Sequence, residues 1–248
     1  MKSKLSLSVA LKKYFKKSVL NPVVISGVFG NDFSNLFQSP IGYRSVMFSN
    51  NSNLRHEAEI KGWEFRLLNL GGMELTDDPV VSAVQSKYIK FLMFMNDFPE
   101  YSLGSPVIYI DHKVELKKEH ITLIQQMISP EKSILIRNTP RLKSTISDEI
   151  EDAMHQSRYR ESMPETIQWL EMIKEKRGIS ETVRIMNTGL IYYKDVNSIR
   201  TLLDEVHQVI NTLNQPECQI IWAALSQPFE DKIHRVDWLD IGIEHKVP

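Results

Sequence analysis

Short apolar runs and longer stretches with helically spaced apolar positions take turns along this chain. Residues 23–28 (VVISGV) form a β-branched run opening onto Phe29 and Gly30, which predicts a buried strand and then a turn with close backbone approach. A second run at 44–51 (RSVMFSNN) and a third at 63–68 (WEFRLL), where apolar and polar positions alternate, predict two more strands. Over 82–96 the apolar residues Val84, Tyr88, Phe91, Leu92 and Met95 recur at helical spacing, leaving Lys87 and Lys90 as an i,i+3 pair on one face. Further strands are expected at 106–110 (PVIYI), 133–137 (SILIR) and 183–193 (VRIMNTGLIYY, with a glycine inside). Further helices are expected at 147–176, interrupted near Pro164, and at 198–213. This alternation implies an α/β fold, a mixed, mostly parallel sheet covered by helices on both faces. Strands 23–28 and 107–110 should be its neighbouring central pair, since both are apolar on both faces. The tryptophans and the FLMFM run at 91–95 read as core.

The first 20 residues break this texture. They hold Lys2, Lys4, Lys12, Lys13, Lys16 and Lys17 and no acidic residue, so residues 21–248 carry −7 of the overall −1. Leu7, Leu11, Tyr14, Phe15 and Ser18 would make a narrow stripe flanked by lysines, as on a membrane-surface helix. The other reading is a frayed leader docked on the domain through Tyr14 and Phe15. The chain thus divides into a basic leader at 1–20 and a single domain at 21–248.

Thirty Lys and Arg against 31 Asp and Glu create no field to hold a polyanion, which argues against a nucleic-acid partner. Cys218 is the one cysteine, so neither an intramolecular disulfide nor a cysteine-built zinc site is available, and a reducing, cytoplasmic setting fits. No run of 18 apolar residues and no signal-peptide pattern occurs. GVFGND at 27–32 lacks the Lys-Ser/Thr ending of a P-loop and is not G-x-G-x-x-G, and no G-x-S-x-G elbow exists. Classical NTP hydrolysis, dinucleotide redox chemistry and serine hydrolysis all lose ground. The most pointed signal is VIYIDHK at 107–113, an apolar strand delivering Asp111 to its exposed end, where a carboxylate holds a metal or a sugar hydroxyl, or else caps the following turn.

The order VVISGVFG, RSVMFSNN, GWEFRLL, SKYIKFLMFMNDFPEY, VIYIDHKVEL, then ILIRNTPRLKSTISDEIEDAMHQSRYRESMPETIQWL, NTGLIYYKD and PECQIIWAALSQPF, resembles a bacterial glycosyltransferase-like family of capsule and lipopolysaccharide biosynthesis. The resemblance covers roughly residues 22–230 and implies a GT-A-like, Rossmann-type nucleotide-diphospho-sugar transferase fold. The NTG segment with its later partner is also similar to retaining galactosyltransferases of the glycogenin type. By this resemblance Val28, Phe29 and Gly30 would lie against the nucleotide, Asn50 near the base, Lys87 and Lys90 toward the donor, and Asn187 and Gly189 beside the sugar. Asp111 would open a D-x-D-like motif binding a divalent ion, Mn or Mg. Here the pattern departs, because Lys113 stands at the third position. Either a metal is held weakly by Asp111 with a late histidine, His245 or else His234, or Lys113 neutralises the diphosphate directly. Gln219 matches the Gln of the family's R-D-Q segment, while Glu217 and Cys218 replace its Arg and Asp. Glu217 could supply the missing carboxylate one position early. Arg137, Arg141, Glu149, Tyr159 and Arg160 fall on recurrent family positions without assignable roles; Arg137 and Arg141 either contact an acidic acceptor or pair with Asp148 and Glu149.

The expected function is glycosyl transfer from a nucleotide-sugar, a UDP-sugar foremost, to a glycan or glycolipid acceptor at the cytoplasmic side of the membrane. Asp111, Lys113, Gln219 and Glu217 are its candidate catalytic residues. The rival expectation is a non-catalytic binding or scaffold protein that kept the fold and lost the chemistry.

Overall fold

The computed structural model describes residues 20–31, 36–102, 105–140 and 144–243. The basic leader therefore lies outside the described residues, apart from Leu20. Among the described residues, β1 (Val23–Val28), β2 (Ser45–Ser49), β3 (Glu64–Leu67), β4 (Val107–Ile110), β5 (Ile134–Asn138), β6 (Met186–Tyr193) and β7 (Ile233–Val236) build one seven-stranded sheet. Its order is β3-β2-β1-β4-β6-β5-β7. Every residue of β1 and β4 is buried, as their two-sided apolarity requires, and the two are parallel neighbours with Val23 opposite Val107. Strands β1, β2 and β3 pair in parallel, as do β5 and β7. Only β6 runs the other way, antiparallel to both β4 and β5, so its first residues lie beside the last residues of β4.

Side chains alternate across the sheet. Ile25, Phe48 and Tyr109 face one layer of helices, whereas Val24, Met47 and Ile108 face the other. The second layer holds α1 (Arg55–Ile60), which contributes Ala58, and α3 (Lys118–Met127), which contributes Ile121 and Ile124. The first layer is larger. It includes α2 (Pro79–Tyr88), which continues through a π-turn (Ile89–Met93) into Phe94–Asn96. It also includes α4 (Ile146–Met154), α5 (Ser157–Arg160), α6 (Met163–Arg177), α7 (Arg200–Leu213) and α8 (Cys218–Leu225). The last described helix is α9 (Trp238–Ile241), whose Ile241 packs on the side of α1 and α3.

The helix expected at 147–176 is three helices, and Pro164 is not where it breaks. The breaks fall after Met154 and Arg160, while Pro164 sits in the first turn of α6, where its missing N–H costs nothing. The strand expected from residue 183 begins at Met186. The helix expected from residue 82 starts three residues earlier, because the Asp78 carboxylate accepts from the Val80 and Val81 N–H groups at 2.7 and 3.1 Å and Pro79 opens the first turn.

Candidate active site

Strands β2 and β3 lie on one side of β1 and β4 on the other, so the direction of winding reverses between β1 and β4. Beyond the carboxyl ends of that pair, where such sheets leave a crevice, is a pocket of about 770 Å³. The turn after β1 (Gly27 to Asn31) and the turn after β4 (Asp111 to Lys113) form two walls. A stripe of α2 forms the third, and Arg158, Tyr159 and Pro216 the fourth.

The β1 turn is fixed by polar contacts. Gly30 has φ +77°, and a Cβ there would meet Ser82 Oγ at 2.6 Å, so glycine is required both for the backbone and for the approach of α2. Its N–H donates to Asn50 Oδ1 at 3.1 Å, and its carbonyl accepts from Asn51 Nδ2 at 3.1 Å. Asn50 Nδ2 in turn donates to the Met73 and Glu74 carbonyls and to Gln85 Oε1. Every polar atom of the Asn50 side chain is engaged by protein, and Asn50 is not among the residues lining the pocket. It holds Gly30 in place. Val28, Phe29 and Gly30 themselves line the pocket.

The α2 stripe consists of Pro79, Ser82, Ala83, Ser86 and Lys87, spaced as one helical face. Lys90 continues it at the deep end. Lys90 does not lie on a solvated helix face: its side chain is 3% exposed and its ammonium lies 3.3 Å from Asp111 Oδ1. Around the ammonium are Thr188 Oγ1 at 3.4 Å, Cys218 Sγ at 3.9 Å and the Tyr109 ring, whose centroid is 4.9 Å away. The Tyr193 hydroxyl donates to the Lys90 carbonyl at 2.8 Å, anchoring the π-turn. Burial works to neutralise Lys90, but Asp111 outweighs it, helped by Cys218 and Glu217, and the pKa is raised. Burial likewise raises the Asp111 carboxyl, yet Lys90 and Lys87, with a 2.7 Å hydrogen bond from the Tyr109 hydroxyl, hold it down at about 2. Asp111 and Lys90 are thus an ion pair at any ordinary pH, with the carboxylate 41% exposed at the pocket floor.

A divalent ion is poorly served here. Among the described residues no group of three or more His, Cys, Asp or Glu side chains could hold a metal. Asp111 already has an ammonium and a phenol on one oxygen. A dication about 5 Å from Lys90 would be repelled by about 7 kcal/mol at an effective dielectric constant near 20. His245 lies outside the described residues. His234 does not serve, because it lies in β7 at the edge of the sheet, where its Nδ1 accepts from the Ser129 N–H at 3.1 Å. Among the described residues the donor set fits charge pairing and not metal coordination.

Several expected residues converge at this floor because β6 is antiparallel. The Gly189 carbonyl accepts the Asp111 N–H at 2.9 Å, and Asn187 Oδ1 accepts the Gly189 N–H at 3.1 Å, closing its own turn. Glu217 is buried and caps α8, accepting from the Gln219 N–H at 2.9 Å. Gln219 points elsewhere, its Nε2 donating to Glu149 Oε1 at 3.4 Å. Neither lines the pocket. Arg137 is fully buried on β5, its guanidinium 4.0 Å over the Trp238 ring and donating to the Ile243 carbonyl. Arg160 donates to the Met154 carbonyl at 2.7 Å, between α4 and α5, and Arg141 lies outside the described residues. Tyr109, Ser82, Ser86, Asp77 and Arg158 line the pocket without having been singled out from sequence. The spacing of the α2 stripe could have found the two serines; nothing in the pattern marks Arg158.

No protein-family model matches the chain, and no curated protein does. Among solved structures, it is similar to mouse xyloside xylosyltransferase 1 in its apo form, at 9% identity over 88% of this chain and 85% of that one, with a TM-score of 0.45. It is also similar to a glycosyltransferase involved in glycosylation of the major capsid of PBCV-1, at 10% identity over 88% and 82%, with a TM-score of 0.44.

Proposed function

We propose that this chain is a glycosyltransferase of GT-A-like fold that moves a sugar from a nucleotide-sugar, a UDP-sugar foremost, to a polysaccharide or lipopolysaccharide acceptor. The observation that carries the reading is the pocket at the β1/β4 switch point, which is large enough for a nucleotide-sugar and rimmed by Lys87, Lys113 and Arg158. The turn from Gly27 to Gly30 receives the nucleotide. The three cations receive the diphosphate, and the exposed oxygen of Asp111 accepts a hydrogen bond from a sugar hydroxyl. In the reaction the anomeric carbon–oxygen bond to the diphosphate breaks and its electron pair leaves with the nucleoside diphosphate. A bond forms to the acceptor oxygen, whose proton passes to solvent. The protein's part is to stabilise the leaving diphosphate with fixed positive charge. Work at the cytoplasmic face of a membrane, with the basic leader in peripheral contact, belongs to the same proposal; among the described residues no helix is long and apolar enough to span a bilayer.

A second reading has an observation of its own. Glu217, the one carboxylate near the family's usual acidic position, is consumed as the α8 cap. A protein that binds nucleotide-sugars without turning them over would look the same. The test is a panel of nucleotide-sugars: one at 100 times its dissociation constant should stabilise the fold by about 2.7 kcal/mol. Transfer or donor hydrolysis lost in a folded Asp111→Ala variant supports catalysis. Binding without turnover supports the scaffold, and no stabilisation by any donor refutes both.

A further inference from the structure

Asp111, the carboxylate expected to hold a divalent ion, is already paired with a cation from inside the protein. Pocket-facing side chains include Lys87, Lys113 and Arg158 as cations, with Asp77 and Asp111 as carboxylates. Lys90, 3.3 Å from Asp111 and sealed beneath it, cancels one carboxylate. Three cations against the one remaining carboxylate leave +2, equal and opposite to the −2 of a sugar nucleotide's diphosphate. Without Lys90 the balance would fall to +1, with a bare carboxylate beside the phosphates. Two independent features build Lys90 into this place. The α2 stripe that lines the pocket runs on to it, and it sits in a π-turn, a local widening often found at functional sites. Its backbone is held by Tyr193 and its ammonium by Thr188 and the Tyr109 face.

We propose that Lys90 is a positioning residue that replaces the divalent cation: by pairing with Asp111 from within the core, it makes binding of a nucleoside diphosphate independent of metal. This rests on the nucleotide-sugar reading above. It differs from the expectation attached to Lys113, which places the essential charge on the rim. Here the rim cations are shared among three side chains, and the residue that removes the need for metal never touches the ligand.

The test is calorimetric binding of UDP in chelator and in manganese. The wild type should bind equally in both. Lys90→Met, checked for folding by circular dichroism, should bind on the order of 10- to 100-fold more weakly in chelator and recover when manganese is added, a response that a merely structural role would not create. The double variant Lys90→Met/Asp111→Asn restores the balance of +2 and, since UDP lacks the donor sugar whose hydroxyl Asp111 receives, should bind UDP in chelator like the wild type, though not a sugar nucleotide. It keeps the proposal testable if the single variant does not fold. Manganese-dependent binding by the wild type overturns the inference while leaving the nucleotide reading intact. So does a double variant that binds poorly in chelator although folded. No binding of UDP, GDP or CDP by the wild type in either buffer overturns the nucleotide reading itself.

Discussion

Asp111→Asn should destabilise the fold more than Lys90→Met does, although the two residues are halves of one ion pair. The asymmetry comes from exposure: the Lys90 side chain is 3% accessible and the Asp111 side chain 41%. Removing the carboxylate strands an ammonium that water cannot reach. Its remaining contacts are a threonine hydroxyl at 3.4 Å, a thiol at 3.9 Å and an aromatic face, and the Glu217 carboxylate, which favours the charged lysine less than Asp111 does, is taken up as the α8 cap. Breaking a buried pair in this way costs roughly 3–5 kcal/mol. The lysine's escape is to lose its proton, at about 1.36 kcal/mol per pH unit below its ordinary pKa near 10.4, so the loss is capped at about 4 kcal/mol at pH 7.5. Asp111→Asn should therefore cost about 3–4 kcal/mol.

Lys90→Met leaves a carboxylate that keeps its Tyr109 hydrogen bond, still sees Lys87 and is open to water. Screening at such a site reduces the cost to about 1 kcal/mol, and methionine refills much of the space of the lysine stem. The double variant removes both charges and should also lose only about 1 kcal/mol, a coupling of roughly 3–4 kcal/mol between the two sites. Urea unfolding of the four proteins at pH 7.5, followed by circular dichroism, measures all three differences. A Lys90→Met loss equal to or larger than that of Asp111→Asn, or simple additivity in the double variant, refutes the argument from exposure.

Gly30→Ala should cost about 2 kcal/mol, because the positive φ alone is worth about 1–2 kcal/mol in an L-residue and the new Cβ meets Ser82 Oγ; adding Ser82→Ala should recover part, and full recovery would show that the backbone carries no strain. His207, whose pKa burial lowers to about 4 against the opposing Asp204, is neutral in the fold, so as pH falls from about 6.5 to 4 the unfolded chain takes up a proton that the fold refuses and stability drops by about 2 kcal/mol. Urea unfolding of His207→Gln should show a shallower acid slope, and an unchanged slope excludes His207 as its source. If the six lysines of residues 1–20 contact a membrane, the protein should bind anionic vesicles and release at high salt, each lysine contributing about 1 kcal/mol; binding that survives deletion of 1–20 rules this out.

The central strands were legible because burial on both faces leaves a signature: β4 is wholly apolar and β1 is β-branched and apolar but for the small Ser26 and Gly27, and such runs are what the middle of a parallel sheet needs. Strand direction leaves no such mark. Nothing in MNTGLIYY says that β6 runs against its neighbours, yet that reversal is what brings Gly189 and Thr188 to Asp111 and Lys90. The edge strand β7 and the amphipathic helix α3 escaped for a different reason, since a four-residue run and a ten-residue helix with polar ends differ little from loop sequence.

The site shows the same division. Periodicity correctly puts Lys87 and Lys90 on one helical face, but a period reports only which residues share a face, never what covers it. Lys87 meets the pocket and Lys90, one turn on, meets Asp111 under the floor. Two identical residue types on one stripe therefore take different places, one facing the open pocket and the other cancelling protein charge. What separates them is the depth of the β4 end, which places a carboxylate directly over the second lysine. Asn50 shows the converse. Its position at the end of β2 was legible, but its side chain spends every hydrogen bond on protein, so it bears on the pocket through the Gly30 turn it holds. Pattern thus locates the end of the sheet where chemistry can occur, and only the packing of polar groups there decides which of them remain free to perform it.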